Sequence, residues 1–281
     1  MRAAIKARLA AELTALSGRC YDIQEPSGTT VKPYATVKLN SETPENLWTG
    51  VKRVYEVALY GEPGDGIVMD ALADQAALAL HGVQLPGGPP GPAFTCRLEG
   101  RAEPGLTDGG GAPASVRTLQ LAVVAVGAGE AASSASADEA LEALCVWTED
   151  KAGAGWRVYR QQWPQAYTAP AILWRLEQVE VQNRSASMLE LHRTVIGHVI
   201  GQNEAEQAAM IGALASGLGG VTKLEANPAT QEYVVPGTVI GDYRADGLTT
   251  GQLTVALRQK VRKATPTGPL IREVYYDGGF R

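Results

Sequence analysis

His192 and His198 lie six residues apart in LELHRTVIGHVI (residues 189–200), and a pair of imidazoles is a common start for a transition-metal site. The segment reads as a strand, and the even spacing puts both rings on one face. Six residues of strand separate them by roughly 20 Å, so on a straight strand they cannot share an ion, although either could pair with a carboxylate elsewhere. His81 stands beside Gly82 at the end of an Ala- and Leu-rich segment, where an imidazole suits the carbonyl end of a helix dipole. In GDGIVMDALAD, Asp70 and Asp74 are one helical turn apart, with Asp65 just before them. Paired carboxylates do acid–base or metal work only with a pocket and partners. Without these they form a solvated helix face and an acidic first turn.

Cys20, Cys96 and Cys145 are far apart with no CxxC pair, which argues against a zinc site, a redox dithiol or a disulfide framework. They read as reduced thiols packed as small apolar residues. No GxSxG elbow, HExxH, P-loop or EF-hand pattern is present. GLGG at 217–220 follows a helix, whereas a dinucleotide fingerprint follows a strand. No catalytic residue, cofactor or metal is therefore expected.

Two features could bind rather than react. Trp147, Trp156, Tyr159, Trp163, Tyr167 and Trp174 are interleaved with Arg157, Arg160 and Arg175. Such a stretch could stack on bases or sugars, form a protein interface, or fill a core. The one dense basic run, residues 258–263, reads as a solvated strand end. With 25 basic and 30 acidic residues the net charge is −5, the wrong balance for a binder of free duplex DNA. Contact with threaded DNA stays open.

The elements that must position these residues follow from periodicity. At 281 residues, 45% hydrophobic and 20% charged, the chain is long enough for two ordinary domains. Ile5, Leu9, Leu13 and Leu16 form one helical stripe, stopped by Gly18. Residues 34–39 (YATVKL) read as a strand and 40–50 as a polar loop. Residues 52–60 (KRVYEVALY) form a strand with Tyr55, Val57 and Leu59 on one face. A turn at 61–66, a helix at 68–81, an irregular Pro/Gly segment at 82–92 and strands at 94–100 and 118–126 complete the half.

Residues 127–137 (GAGEAASSASA) have the composition of a flexible linker. Beyond it the order recurs. A helix over 138–148 has Asp138 as N-cap and Leu141, Leu144 and Cys145 on one face. Residues 157–167 form a strand or an ordered loop. Strands at 171–181 and 189–200, a helix at 204–218 with Ile211, Leu214 and Leu218 in its apolar stripe, and strands at 232–243 and 253–261, where Leu253, Val255 and Leu257 alternate to one face, follow. Each long second strand ends at a glycine, Gly61 or Gly201, before an Ala-rich helix. The expected class is α+β: two similar α-β-β-α-β-β modules, 1–126 and 138–263, each a mostly antiparallel sheet with helices packed on it, followed by a C-terminal arm, 264–281. The amino terminus lacks a secretory pattern and no stretch approaches the roughly 18 apolar residues of a membrane span, so no membrane association is expected.

In its opening helix IKARLAAELTAL, its strand PYATVKL from Pro33, its strand VYEVALYG ending at Gly61 and its helix DALADQAALALHG, the first half resembles the bacteriophage tail-terminator and tail-completion family (head–tail joining or minor tail proteins). The resemblance covers roughly 1–126 and, more weakly, 138–263. It implies a non-enzymatic virion protein, assembled in the host cytoplasm, that rings and caps the tail tube and meets the neck or head. The implied partners are the chain itself, the tail tube protein, and neck, connector or sheath proteins. Family members are usually single modules in hexamers. Two modules per chain imply either three chains supplying six modules or six chains in two layers. A neck, connector or baseplate protein would read alike. An enzyme using the Asp65–Asp74 region and a nucleic-acid or carbohydrate module using the aromatic stretch are the competing classes.

The interface residues chosen on this reading are Glu42, Glu45 and Trp48 in the polar loop, Asp65 in the turn, and Trp156, Arg157 and Trp163 in the aromatic stretch. Trp48 beside Glu42 and Glu45 has the make-up of an anchor with a polar rim.

Overall fold

A computed structural model of the chain describes residues 1–88, 91–107, 113–126, 138–227 and 229–263. The expected linker, 127–137, and C-terminal arm, 264–281, lie outside the described residues.

The protein is two similar α/β modules, each a mixed, mostly antiparallel sheet with two helices on one face. The first module comprises α1 (Arg2–Glu12), β1 (Cys20–Asp22), β2 (Tyr34–Asn46), β3 (Gly50–Gly61), α2 (Gly66–Leu80), the small pair β4 (Gln84–Leu85) and β5 (Phe94–Thr95), β6 (Arg97–Thr107) and β7 (Pro113–Val126). Its sheet runs β1-β2-β3-β7-β6. The second comprises α3 (Glu139–Ala152), β8 (Arg157–Arg160), β9 (Ala171–Asn183), β10 (Met188–Ile200), α4 (Glu204–Gly220), β11 (Leu224–Asn227), β12 (Glu232–Gly241) and β13 (Leu253–Arg262). Its sheet runs β8-β9-β10-β13-β12-β11. The two orders superpose strand for strand, with β11 added at the second module's edge. In each, the short first strand pairs parallel with the next, and the other pairings in these two sheets are antiparallel. A cis X-Pro peptide, Lys32–Pro33 or Ala169–Pro170, precedes the strand that follows.

Local sequence explains most elements. Ile5, Leu9, Leu13 and Leu16 are all buried against β2 and β3 residues and α2. The α-helix stops at Glu12 rather than running to Gly18, because a 3₁₀ turn at Thr14–Leu16 carries the last leucine inward. In α3, Asp138 accepts from the Leu141 N–H at 3.0 Å, an N-cap that satisfies one otherwise free donor, and Leu141, Leu144 and Cys145 are buried. In α4, Asn203 caps the Glu206 N–H, and Ile211, Leu214 and Leu218 are the buried stripe. The glycines at the strand ends have a steric cause. A Cβ on Gly201 would lie 2.7 Å from the Gln207 amide nitrogen and 2.8 Å from the Asn203 carbonyl oxygen, and one on Gly61 would strike the Met69 side chain.

Three expectations are corrected. Residues 40–46 are not a loop: β2 continues to Asn46 and pairs with β3 as a long hairpin, bulged between Leu39 and Ser41 and between Pro44 and Asn46. Beyond Val37 no other described strand flanks β2, so this stretch is an edge, where Pro44 is tolerated and polar residues face solvent. The parallel strands β1 and β8, and the edge strand β11 of the second module, are additions to the expected α-β-β-α-β-β order. Residues 82–92 are partly regular, since β4 pairs with β5.

Candidate interaction surfaces

The modules meet through two turns of similar chemistry. At the tip of the β2–β3 hairpin, the Asn46 Oδ1 accepts from the Trp48 N–H at 3.2 Å, the Thr49 N–H at 2.7 Å and the Thr49 hydroxyl. In the loop before β13, the Asp246 Oδ1 accepts from the Leu248 N–H, the Thr249 N–H and the Thr249 hydroxyl at 2.8–2.9 Å. Asn and Asp make such turns because their short side chains reach the backbone two and three residues on. The turns then interlock. The Trp48 indole donates to the Thr249 carbonyl at 2.9 Å, the Trp163 indole donates to the Leu248 carbonyl at 3.2 Å, and the Trp163 N–H donates to the Trp48 carbonyl at 2.9 Å.

Around these bonds a mixed core forms from Val124 and Ala125 of the first module and Tyr159, Trp163, Tyr167 and Leu173 of the second. Arg97 on β6 pairs with Asp246 at 2.6 Å. Burial pushes the Asp246 carboxyl up, but the Arg97 contact and the Thr249 bonds outweigh it, and the group is held down at about 2. Beneath Trp48, the Arg175 Nε donates to the His198 Nε2 at 3.0 Å. The His198 Nδ1 therefore carries the proton and donates to the Gly247 carbonyl at 3.1 Å. Burial, then the Arg175 charge, pushes the His198 imidazole down to about 4, so it is neutral at pH 7. The segment at 92–95 joins in: the Gln165 amide donates to the Ala93 carbonyl at 3.0 Å, and Thr95 bonds the Gln165 and Tyr167 carbonyls.

The seven residues chosen from sequence separate into two groups. Trp48 and Trp163 meet, but inside one chain. Trp163 is fully buried, packed in the junction between the two modules. Glu42 and Glu45 lie on the exposed hairpin arm, Glu42 paired with Arg53 at 2.6 Å and Glu45 3.8 Å from Lys52. Asp65 is exposed at the start of α2 and Arg157 is exposed at the start of β8. Trp156 is half-buried on the second module's core.

The aromatic stretch offers no open platform. Trp174 is buried, its indole donating to the Thr148 hydroxyl at 2.9 Å. Gly197 sits opposite it in register, and a Cβ there would collide with the indole. Trp147 packs on the same core, and Tyr159 and Tyr167 belong to the junction. Burial in a core is thus the use of most of these rings.

The other chemistry-bearing residues are also structural. Asp70 pairs with Arg117 and Asp74 with Arg101, on the exposed side of α2. His81 does not serve as a cation at a helix end: its Nδ1 accepts from the Leu98 N–H at 3.1 Å, and burial pushes its pKa down. The His192 Nε2 lies 3.7 Å from Glu190. Burial pushes the Cys96 and Cys145 thiols up to about 12, so both stay protonated. Among the described residues no group of three His, Cys, Asp or Glu could hold a metal ion, and no helix is long and apolar enough to cross a membrane.

What remains open is apolar and charged surface. Leu47 at the hairpin tip is 91% exposed, and Ile67 and Leu78, three turns apart along α2, are 87% and 81% exposed. On the second module, Arg258, Lys260 and Arg262 are exposed along β13. Sequence reading missed Asp246, Arg97, Arg175 and His198 as a group. The matching strings NLWT (46–49) and DGLT (246–249) were the available signal.

Fold and surfaces together define a two-module α/β chain with a built internal junction and exposed apolar contact points. No protein-family model matches the chain, and no curated protein matches it.

Proposed function

We propose that this chain is a non-enzymatic virion protein that forms a ring with copies of itself, caps a phage tail tube and joins it to the neck or head. The observation that carries this reading is the character of the internal junction. It is heterologous: the first module offers a hairpin tip and the ends of β6 and β7, and the second offers a sheet face with its covering loops. Contacts between unlike surfaces, repeated from chain to chain, close into rings or run on as filaments. Leu47, Ile67 and Leu78 supply exposed apolar contacts of the kind that mark association sites. The tail tube protein and neck, connector or sheath proteins are the partners on this reading, with three or six chains in the ring.

The test is the assembly state of the purified full chain, by mass photometry and negative-stain imaging over a concentration series. Rings of three or six chains are expected, and Leu47→Asp and Ile67→Asp should shift them toward smaller species. A strict monomer up to the solubility limit overturns the reading.

A further inference from the structure

Acids outnumber bases in this protein, and its arginines are mostly engaged: Arg53 with Glu42, Arg97 with Asp246, Arg117 with Asp70, Arg160 with Glu142 and Arg193 with Asp138. Arg258, Lys260 and Arg262 stand apart as a row of exposed cations on one strand. All three are exposed, and among the described residues none makes a side-chain hydrogen bond or ion pair, although Glu190 stands opposite Lys260 in register and feels its charge. Strand alternation puts them on one face of the second sheet. Gln259 between them turns inward, accepts from Arg193 at 2.8 Å and is buried. The row spans roughly 13 Å at the rise of a strand.

The row borders an open groove of about 900 Å³, also lined by Glu190, Tyr233 and Val235. Its acids are tied down. Glu190 is paired with Arg184 and its side chain is 13% exposed, while Glu232 accepts from Gln259 at 3.3 Å. A further cation, the Lys223 ammonium, lies 3.8 Å from the Tyr233 ring centroid at the groove wall. The accessible charge lining the groove is therefore positive, with the exposed Glu180 and Glu225 on the flanking strands outside its lining, on a chain whose net charge is −5.

We propose that the Arg258–Lys260–Arg262 row is a track for the phosphodiester backbone of a nucleic acid. Exposed guanidinium and ammonium groups at a regular spacing suit successive phosphates, which accept from side chains alone. An extended acidic peptide is the weaker occupant, because strand addition needs a free sheet edge. This row lies on the face of a strand paired on both sides, to β10 and β12. The proposal does not depend on ring formation, since one chain carries the whole row.

The experiment is fluorescence anisotropy of the full chain with a labelled oligothymidine, a duplex of equal length and polyglutamate, across a salt series. Three phosphate contacts predict a slope of log affinity against log salt of about −2 for the single strand and about −3 for the duplex. Each of Arg258→Ala, Lys260→Ala and Arg262→Ala should reduce the single-strand slope by about 0.7. The triple variant should lose at least ~10-fold in affinity. Arg244→Ala, exposed elsewhere, should bind as the parent does. Unfolding midpoints of the variants verify folding. Undiminished binding by the triple variant, or no nucleic-acid binding at low salt, overturns the proposal. Polyglutamate binding with none to oligonucleotide overturns it in favour of an acidic protein.

Discussion

The Arg175 guanidinium carbon, on the second sheet, lies 3.6 Å from the centroid of the Trp48 ring, carried on the first module's hairpin. Arg175 also donates to His198 and contacts Glu177, so the cation is held flat beneath the indole. A cation over a Trp face is worth about 0.5–2 kcal/mol, more as water is excluded.

Trp48→Ala removes that contact, the indole bond to Thr249 and part of the junction's apolar burial. A loss of about 2–4 kcal/mol is expected in denaturant unfolding. If the two modules unfold together in the parent, the variant should show two separate transitions, read by tryptophan fluorescence and circular dichroism. Unchanged stability would mean that the junction contributes little.

Acid should weaken the junction through His198. Its folded pKa, about 4, lies below the ordinary 6.5, so between those values the unfolded chain binds the proton and the folded chain does not. Its contribution is complete above about pH 6.5, declines as pH falls toward 4 and is absent below. The slope reaches at most ~1.4 kcal/mol per pH unit. Asp246, lowered from 3.8 to about 2, adds a loss in the same direction at more acid pH. His198→Asn keeps a donor for the Gly247 carbonyl without the titration. Its stability should be flatter than the parent's from pH 6.5 to 4, and parallel curves would contradict the assignment.

Asp138 has two jobs. One oxygen caps α3, and the other accepts from Arg193, which is buried, at 2.8 Å. Asp138→Asn keeps a capping oxygen but removes the charge, and Asp138→Ala removes both. Capping is worth about 1 kcal/mol, and stranding a buried cation about 3–5 kcal/mol. Both variants should therefore be strongly destabilised, with the alanine about 1 kcal/mol worse, as measured by urea unfolding.

The two strand-end glycines should differ in their tolerance of a methyl group. At Gly201 the obstruction is backbone, at 2.7 and 2.8 Å, whereas at Gly61 it is the flexible Met69 side chain. Gly201→Ala should cost about 2–3 kcal/mol and Gly61→Ala about 1 kcal/mol. Gly155→Ala, with nothing within 4 Å, should be nearly neutral. Equal effects at the first two positions would show that the start of α4 can move aside.

Sequence alone determined the elements whose partners are close along the chain. The stripe of Ile5, Leu9, Leu13 and Leu16, the cap at Asp138, the alternation of Leu253, Val255 and Leu257 and the breaks at Gly61 and Gly201 are all local. Period and capping depend on neighbours within a turn or a pleat, so these residues are informative by themselves. The likeness of the two halves was legible for the same reason, as a repeated order of periods.

Tertiary structure decided whatever depends on distant partners. Strands β1 and β8 are three and four residues long, too short to show alternation, and become strands only because β2 and β9 offer an edge. Residues 40–46 are polar because they form a hairpin arm at a sheet edge facing solvent, a composition shared with loops. Trp48 reads as an exposed anchor until its seat on Arg175 and Thr249 is known. In the same way, the basic run at 258–263 reads as a solvated strand end until the structure shows Gln259 turned inward and Arg258, Lys260 and Arg262 exposed on one face.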